Sequence, residues 1–377
     1  MAAGDPAAAK EVLRVMLDQF WHLYPANGHF FSCITQLALA LQAFDVVSTF
    51  LNDRYGTPGL FLVHPWQASD PAINPVEVCA EGPCRFAVDP RIPGMAAADY
   101  FSGHWLSSAP MWAFYGSRPE REPGSTMMNS GEHGCVRGLA FCGNNPDYIL
   151  VPDGYFLTSE GYLDLRQHYA RTQVPWEQRQ PVAFWRGSTT GVRTGAMNWQ
   201  TLPRVQLCRI ALQNPDVLNA GIARITQMWH ESEPDEIVAA GLVREPASAE
   251  AILSFKYQVD IDGNSNSWSG LYQKLLTGSP VLKIESPHGF RQWYYDRLLP
   301  WINYVPVAPD MSDLIEKISW LRSNDGIARS IGAEGMKLAT SLKLEGELVA
   351  ACNGIVASFR RYAATAASRD ASPSVAG

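Results

Sequence analysis

Two rhythms of apolar residues divide the chain near residue 180. In the first part the spacing is helical, and apolar positions three and four apart predict helices over about 6–24 and 29–53. The second of these holds the run "FFSCITQLALALQAFDVVSTFL". It is long enough for a membrane span, but Gln36, Gln42 and Asp45 interrupt it, and a buried helix fits better. Between Gly56 and Gly134, Pro, Gly and aromatic residues prevail and periodic segments are short, which predicts a loop-rich layer whose Trp and Tyr rings rest on a core. "DYILVPDGYFL" then predicts a strand over 148–151 with Asp153 at its carboxyl end.

Beyond residue 180 short apolar runs alternate with helical ones. "PVAFW", "LNAGIARI", "FKYQVDI" and "PVLKI" read as strands, and "LPRVQLCRIALQ", "SGLYQKLLTG" and "DMSDLIEKISWLRS" as helices. Strands separated by helices make βαβ units, hence a parallel sheet covered on both faces. The pattern predicts an α/β chain with a doubly wound carboxy-terminal domain. Boundaries fall at 1–175 for an amino-terminal domain, 176–345 for the doubly wound one, and 346–377 for a last helix and a frayed tail.

Composition narrows the functional classes. The 377 residues suffice for about two domains. A formal net charge of −7 excludes the global basic field of a nucleic-acid or anionic-lipid binder. "MAAGDPAAAKEVLRVMLDQFWHLY" has no basic region followed by an apolar core, which leads to the expectation of a cytoplasmic protein. The seven cysteines are dispersed and no two have CxxC spacing, so a reduced set is expected; a bridge between Cys79 and Cys84 would matter only in an oxidising compartment. No cofactor signature is present, and no G-x-x-x-x-G-K-[ST] phosphate loop occurs.

Candidate chemistry gathers where strands end. "VAFWRGSTTGVR" runs from a buried strand into Gly187, Ser188, Thr189, Thr190 and Gly191, small residues whose amides and hydroxyls suit an anion, flanked by the guanidinium forks of Arg186 and Arg193. An ordinary strand-to-loop turn with solvated arginines accounts for the same residues. "FKYQVDIDGNSNSWSGLYQKLLTG" offers a second such place, a strand ending in Asp260-Ile261-Asp262-Gly263 and a helix starting near Ser267, with Lys274 inside it. Asp260 and Asp262 also spell a D-x-D, whose oxygens suit Mg²⁺ or Mn²⁺. Glu285, just past the next strand, has the chemistry to accept both hydroxyls of a ribose. Trp293, Tyr294 and Tyr295 stack on a base or pack in a core, and His133 and His288 are loop histidines not needed as the base.

As a set, "FWRGSTTGVR", "FKYQVDIDGNSNSWS", "LLTGSPVLKIES" and "LLPWINYVPVAPDMSDLIEKISWL" resemble glycosyltransferase family 90, the family of protein O-glucosyltransferases and capsule xylosyltransferase-like proteins, over about 145–345. The resemblance implies a GT-B architecture, two Rossmann-like domains facing a cleft, and an inverting transfer from a nucleotide diphosphate sugar, UDP-linked, to a hydroxyl on a glycan or protein without a metal. It maps the donor loop to Arg186, Gly187, Ser188, Thr190 and Arg193, the later helix start to Asn266, Ser267 and Trp268, the ribose carboxylate to Glu285, and the catalytic base to Asp153. Animal members carry an Arg near the start of that helix, and this chain reads "SWSGLYQKLL", so either Lys274 or Arg193 replaces it or the donor sits differently. Two other readings stand beside this one: a glycan- or nucleotide-sugar-binding homologue without transfer, and a metal-dependent transferase using Asp260 and Asp262.

Overall fold

The computed structural model describes residues 6–21, 37–38, 40–56, 63–66, 76–79, 84–87, 107–129, 138–192 and 198–370. The chain separates into two compact units, Met1–Tyr162 with Lys343–Gly377, and Leu163–Leu342.

The first unit contains the helices Pro6–Phe20 and Phe44–Tyr55, the second closed by Gly56 in the left-handed conformation at φ 62°. Of the helix expected over 29–53, residues 29–36 and 39 lie outside the described residues. The stretch expected to be loop-rich instead holds strands β1 (Val63–Trp66), β2 (Val76–Cys79), β3 (Cys84–Ala87) and β4 (Ser125–Asn129), together with the helix Ser107–Ser117. Strands of four or five residues are too short to show a sustained alternation, which is why periodicity passed over them. With β5 (Gly138–Ala140) and β7 (Tyr148–Leu150) they form one sheet in the order β1-β3-β2-β4-β5-β7; β6 is the two-residue strand Cys142–Gly143. β2 runs antiparallel to both its neighbours, so this sheet is mixed where a Rossmann-like domain would be parallel. The last helix, Leu344–Asp370, packs on it. Ser358 and Thr126 share a hydrogen bond of 2.5 Å, and Phe359 lies so close to Gly124 that an added Cβ would stand 2.6 Å from its ring.

The second unit has the parallel sheet that the alternation predicts. Its strands are β8 (Gln180–Ser188), β9 (Leu218–Arg224), β10 (Phe255–Asp260), β11 (Val281–Ile284) and β13 (Val305–Val307), in the order β13-β11-β10-β8-β9; β12 is the two-residue Arg291–Gln292. β10 and β11 are buried along most of their length, and Val259, Leu282, Val305 and Tyr257 reach the core between sheet and helices. Chain order across the sheet reverses between β8 and β10. In open α/β sheets a crevice for ligands forms at the carboxyl ends of the strands that flank such a reversal.

The sequence pattern did not predict every helix of this unit. Asp325–Ser341 contains three glycines, which argue against a helix by propensity. Two of them are there for packing: a Cβ on Gly332 would meet the Gly278 carbonyl oxygen at 2.3 Å, and one on Gly335 the Asn303 carbonyl oxygen at 2.8 Å. Propensity alone says that alanine at 332 should stabilise the helix by up to about 1 kcal/mol. Overpacking against backbone dominates instead, and Gly332→Ala is expected to lower stability by about 1–3 kcal/mol, measured as a lower urea midpoint at unchanged slope.

Candidate functional site

β8 extends further than its apolar run. It continues through Arg186, Gly187 and Ser188, because each finds a partner on β9: Arg186 opposite Gly221, Gly187 opposite Ile222, and Ser188 opposite Arg224 after a bulge. Gly187 belongs there on steric grounds, since the Trp185 indole lies 2.4 Å from where its Cβ would be. The loop that follows is closed on itself. The Thr189 amide donates to the Arg224 carbonyl, its hydroxyl donates to the Thr226 carbonyl at 2.7 Å, and the Gly191 amide donates to the Asn264 side chain at 3.1 Å. The sequence reading had these amides facing an anion. Thr189 and Gly191 instead anchor the loop, while Arg193 lies outside the described residues.

What fixes this loop is Arg204, a residue that motif reading missed. It is the second residue of the helix Pro203–Gln213, is almost fully buried, and lies over the Trp185 ring at 5.7 Å. Its Nη1 donates to Thr190 Oγ1 at 2.7 Å and to Ser188 Oγ at 3.2 Å; its Nε donates to the Asp262 carbonyl at 2.9 Å, and its Nη2 to the Ile261 carbonyl at 3.3 Å. One guanidinium therefore holds the end of β8 to the end of β10. Gly263 permits the approach, because a Cβ there would stand 2.9 Å from Thr190 Oγ1 and 3.0 Å from Arg204 Nη2. The sequence did carry a signal: Arg204, Cys208 and Ala211 are spaced i, i+4, i+7, which puts the arginine on the helix's buried stripe.

After β10 the turn is tight. Asn266 Oδ1 accepts from the Trp268 amide at 2.6 Å, and Trp268 takes φ 50°, a conformation that bulky residues rarely adopt. The helix is Ser269–Leu276, two residues later than expected, and Ser267 Oγ accepts the Leu271 amide at 3.0 Å. Lys274, one turn inside, donates to Asp260 at 2.8 Å. Lys283 on β11 donates to the other Asp260 oxygen at 3.4 Å and stands 3.8 Å from Asp262. Burial alone would raise the Asp260 carboxyl, but the two ammonium groups hold it well below the usual carboxylate range. Burial likewise acts on Asp262 and there prevails, pushing it up to about 6 against the pull of Lys283. Neither Asp262 carboxylate oxygen has a hydrogen bond of good geometry, nor has the buried amide nitrogen of Asn266.

This arrangement decides the metal question for the D-x-D. A divalent ion would need oxygens from both aspartates, yet Asp260 is fully buried with a lysine on each oxygen. The pair does not fit a metal ion. Among the described residues no group of three His, Cys, Asp or Glu side chains is placed to hold one.

Two hollows flank the joined loops. One is a cleft of about 380 Å³ lined by Phe184, Arg186, Ser188, Arg224, Gln273 and Lys274 among others, with three cations and no carboxylate in its wall. Arg186 is pinned in it: Nη2 donates to the Asn219 side chain at 2.8 Å, and the guanidinium lies 4.6 Å over the Phe184 ring. The other is a small niche lined by Asp262, Gly263, Ser265, Glu285 and His288. Glu285 is exposed at its mouth. Tyr294 and Tyr295 are buried edge to face at 5.2 Å and serve as core, while His133 lies outside the described residues.

Asp153 is placed in the first unit. It is fully buried, caps the helix Gly154–Thr158 by accepting the Phe156 amide at 2.9 Å, and accepts the Tyr162 hydroxyl at 3.1 Å.

The family model of glycosyl transferase family 90 matches residues 160–363, more than half of the chain. The chain belongs to that family. Its matched region takes in the loops after β8 and β10 and leaves Asp153 outside. Relatives include protein O-glucosyltransferase 2 of Danio rerio, 28% identical over 209 residues, and protein O-glucosyltransferase 3 of Homo sapiens, 31% identical over 180 residues. The matches cover 53% and 48% of this chain, and 38% and 32% of those proteins. The chain thus spans well under half the length of these relatives. Among solved structures, HepE of Anabaena in complex with UDP-glucose is similar over 52% of each chain, at 13% identity and a TM-score of 0.33, a level at which the likeness carries no argument. No helix among the described residues is long and apolar enough to cross a membrane.

The burial of the Asp262 carboxylate has a measurable consequence. Its folded value, about 6, lies above the ordinary aspartate value of 3.8, so the folded chain holds this proton more tightly than the unfolded chain. Stability contributed by that proton is present below about pH 4 and lost as pH rises through about 6. Asp262→Asn is therefore expected to exceed the parent by about 1–3 kcal/mol in urea denaturation at pH 7.5, and to match it at pH 4.

Proposed function

We propose that the chain transfers a sugar from a nucleoside diphosphate sugar, of the uridine series, to an acceptor hydroxyl on a glycan, inverting the anomeric carbon without a metal ion. The observation that carries this is the acid-free cationic cleft at the β8–β10 reversal, in a chain of net charge −7. Breaking a sugar–diphosphate bond leaves negative charge on the diphosphate, and fixed cations aimed at that charge lower the barrier most. Arg186 is pre-set by Asn219 and Phe184, and Lys274 by Asp260, so neither must reorganise when the charge develops. Lys274 takes the place of the family arginine missing from the helix start. Glu285 accepts the ribose hydroxyls at the niche, and Arg204 holds both loops in register. Membership of the family and the names of its relatives support a glycosyl donor of this class.

Calorimetric titration with UDP in EDTA-containing buffer tests the donor site. The wild-type chain should bind, and Arg186→Ala and Lys274→Gln should each weaken binding by about 10- to 100-fold, the range for losing one charge-assisted contact. Undiminished affinity in both variants would remove the cleft from the site.

For the acceptor's proton the assignment is Asp153, supported by its place at the carboxyl end of β7 and by the family position it resembles. A second reading, a donor-binding homologue that does not transfer, is favoured by the burial of that carboxylate as a helix cap. Asparagine keeps the cap but cannot take a proton. If Asp153 is the base, Asp153→Asn should lower transfer by about two to four orders of magnitude with UDP affinity unchanged. Near-normal transfer by the folded variant would assign Asp153 to the cap alone.

A further inference from the structure

The two hollows at the β8–β10 reversal are joined by a buried series of charges. Lys274 lines the cationic cleft and reaches Asp260 at 2.8 Å; Asp260 reaches Lys283 at 3.4 Å; Lys283 stands 3.8 Å from Asp262, which lines the niche. Side chains along the series are at most 16% exposed, so water screens their interactions little. Asp260 has a cation on each side. Asp262, at the end, faces Lys283 alone at salt-bridge distance and has no hydrogen bond of good geometry on either oxygen.

We propose that an anionic diphosphate bound at Lys274 is coupled to the uptake of one proton by Asp262, through the series Lys274–Asp260–Lys283–Asp262. The inference rests on the donor site proposed above and concerns how that site is regulated. The series without Asp262 carries one net positive charge, two ammonium groups against one carboxylate. An ionised Asp262 cancels it and opposes an arriving anion; a neutral Asp262 leaves the positive charge to the anion. The anion in turn makes ionised Asp262 costlier, so the carboxylate takes a proton from solvent. Other groups face Asp262 from each element packed on it. Arg204 donates to its backbone carbonyl and favours the ionised form, as does Ser286; Asp260 opposes it; Glu285 and His288 share the niche; and the Tyr295 ring lies 4.9 Å from the Lys283 ammonium. Since burial already places Asp262 near 6, a modest further rise moves it through the neutral range.

The direction follows from linkage. Below the free-state value Asp262 is neutral with or without ligand, and affinity is highest. As pH rises through that value and then the bound-state value, affinity falls, by about tenfold for each unit separating the two. The test is calorimetric titration of UDP-glucose, whose diphosphate diester has no ionisation in this range, at pH 6.5 in MES and in imidazole buffer. Wild-type protein should show a buffer-dependent enthalpy that reports net proton uptake, and affinity should fall between pH 5 and 8. His288→Gln should keep the buffer dependence. Asp262→Asn and Asp262→Ser, both neutral at this position, should lose it while still binding. Binding without buffer dependence in the wild-type protein, or dependence that persists in both Asp262 variants, overturns the coupling and leaves the donor site standing. No binding by the wild-type protein overturns the donor site and the coupling together.

Discussion

A single buried guanidinium sets the geometry on which the site depends. Arg204 must place its N–H groups inside the protein, where an unmet donor costs about 1–3 kcal/mol, and it does so on oxygens at the ends of two different strands. Ser188 and Thr190 at the end of β8, and Ile261 and Asp262 after β10, are thereby held at fixed separation. The planar fork matters. Lysine would bring one point of charge to a place where at least four oxygens converge along two directions. Gly263 is the complement of this arrangement, and so is Gly187, whose missing Cβ lets the Trp185 ring lie where Arg204 stacks on it.

Charge is handled by the same rule of completion. Asp260 is fully buried and would be untenable by itself, so Lys274 and Lys283 come from a helix and a neighbouring strand to meet it. The consequence reaches the surface, because Lys274 is thereby fixed at the wall of a cleft that has no acid of its own. Satisfying one buried carboxylate thus produces an oriented cation. The D-x-D spelling is explained by structure, since its first aspartate serves this ion pair and its second sits at the turn that Arg204 grips.

The parallel sheet and the two strand-end loops were legible in the sequence because their signals are local: short apolar runs, then Gly, Ser and Asp. Arg186, Gly263 and Lys274 could be named from that pattern. Three features of this unit show what was not legible. Ser188 looked like loop because its strand pairing depends on β9, more than thirty residues away. Asp325–Ser341 looked unlike a helix because Gly332 and Gly335 answer to carbonyls distant in sequence. Arg204 carried a local signal, its spacing to Cys208 and Ala211, but the spacing says only that an arginine is buried, and the oxygens that make burial tolerable lie in two other segments.

Several unsatisfied groups fall beside the strand-end loops. Asp262, Asn266 Nδ2 and Arg186 Nε lack hydrogen-bond partners, and Trp268 adopts a positive φ, all within or beside the loops at the β8–β10 reversal. Elsewhere in this unit the Tyr257 hydroxyl is also buried without a hydrogen bond, and Gln227, Trp301 and Met311 also take a positive φ. A sequence selected for stability alone would have no use for a buried carboxylate without a hydrogen bond of good geometry or a tryptophan in a backbone region suited to glycine. A buried carboxylate and a strained tryptophan beside a cationic cleft, at the crevice that the sheet order creates, are what a place where stability is exchanged for function would show.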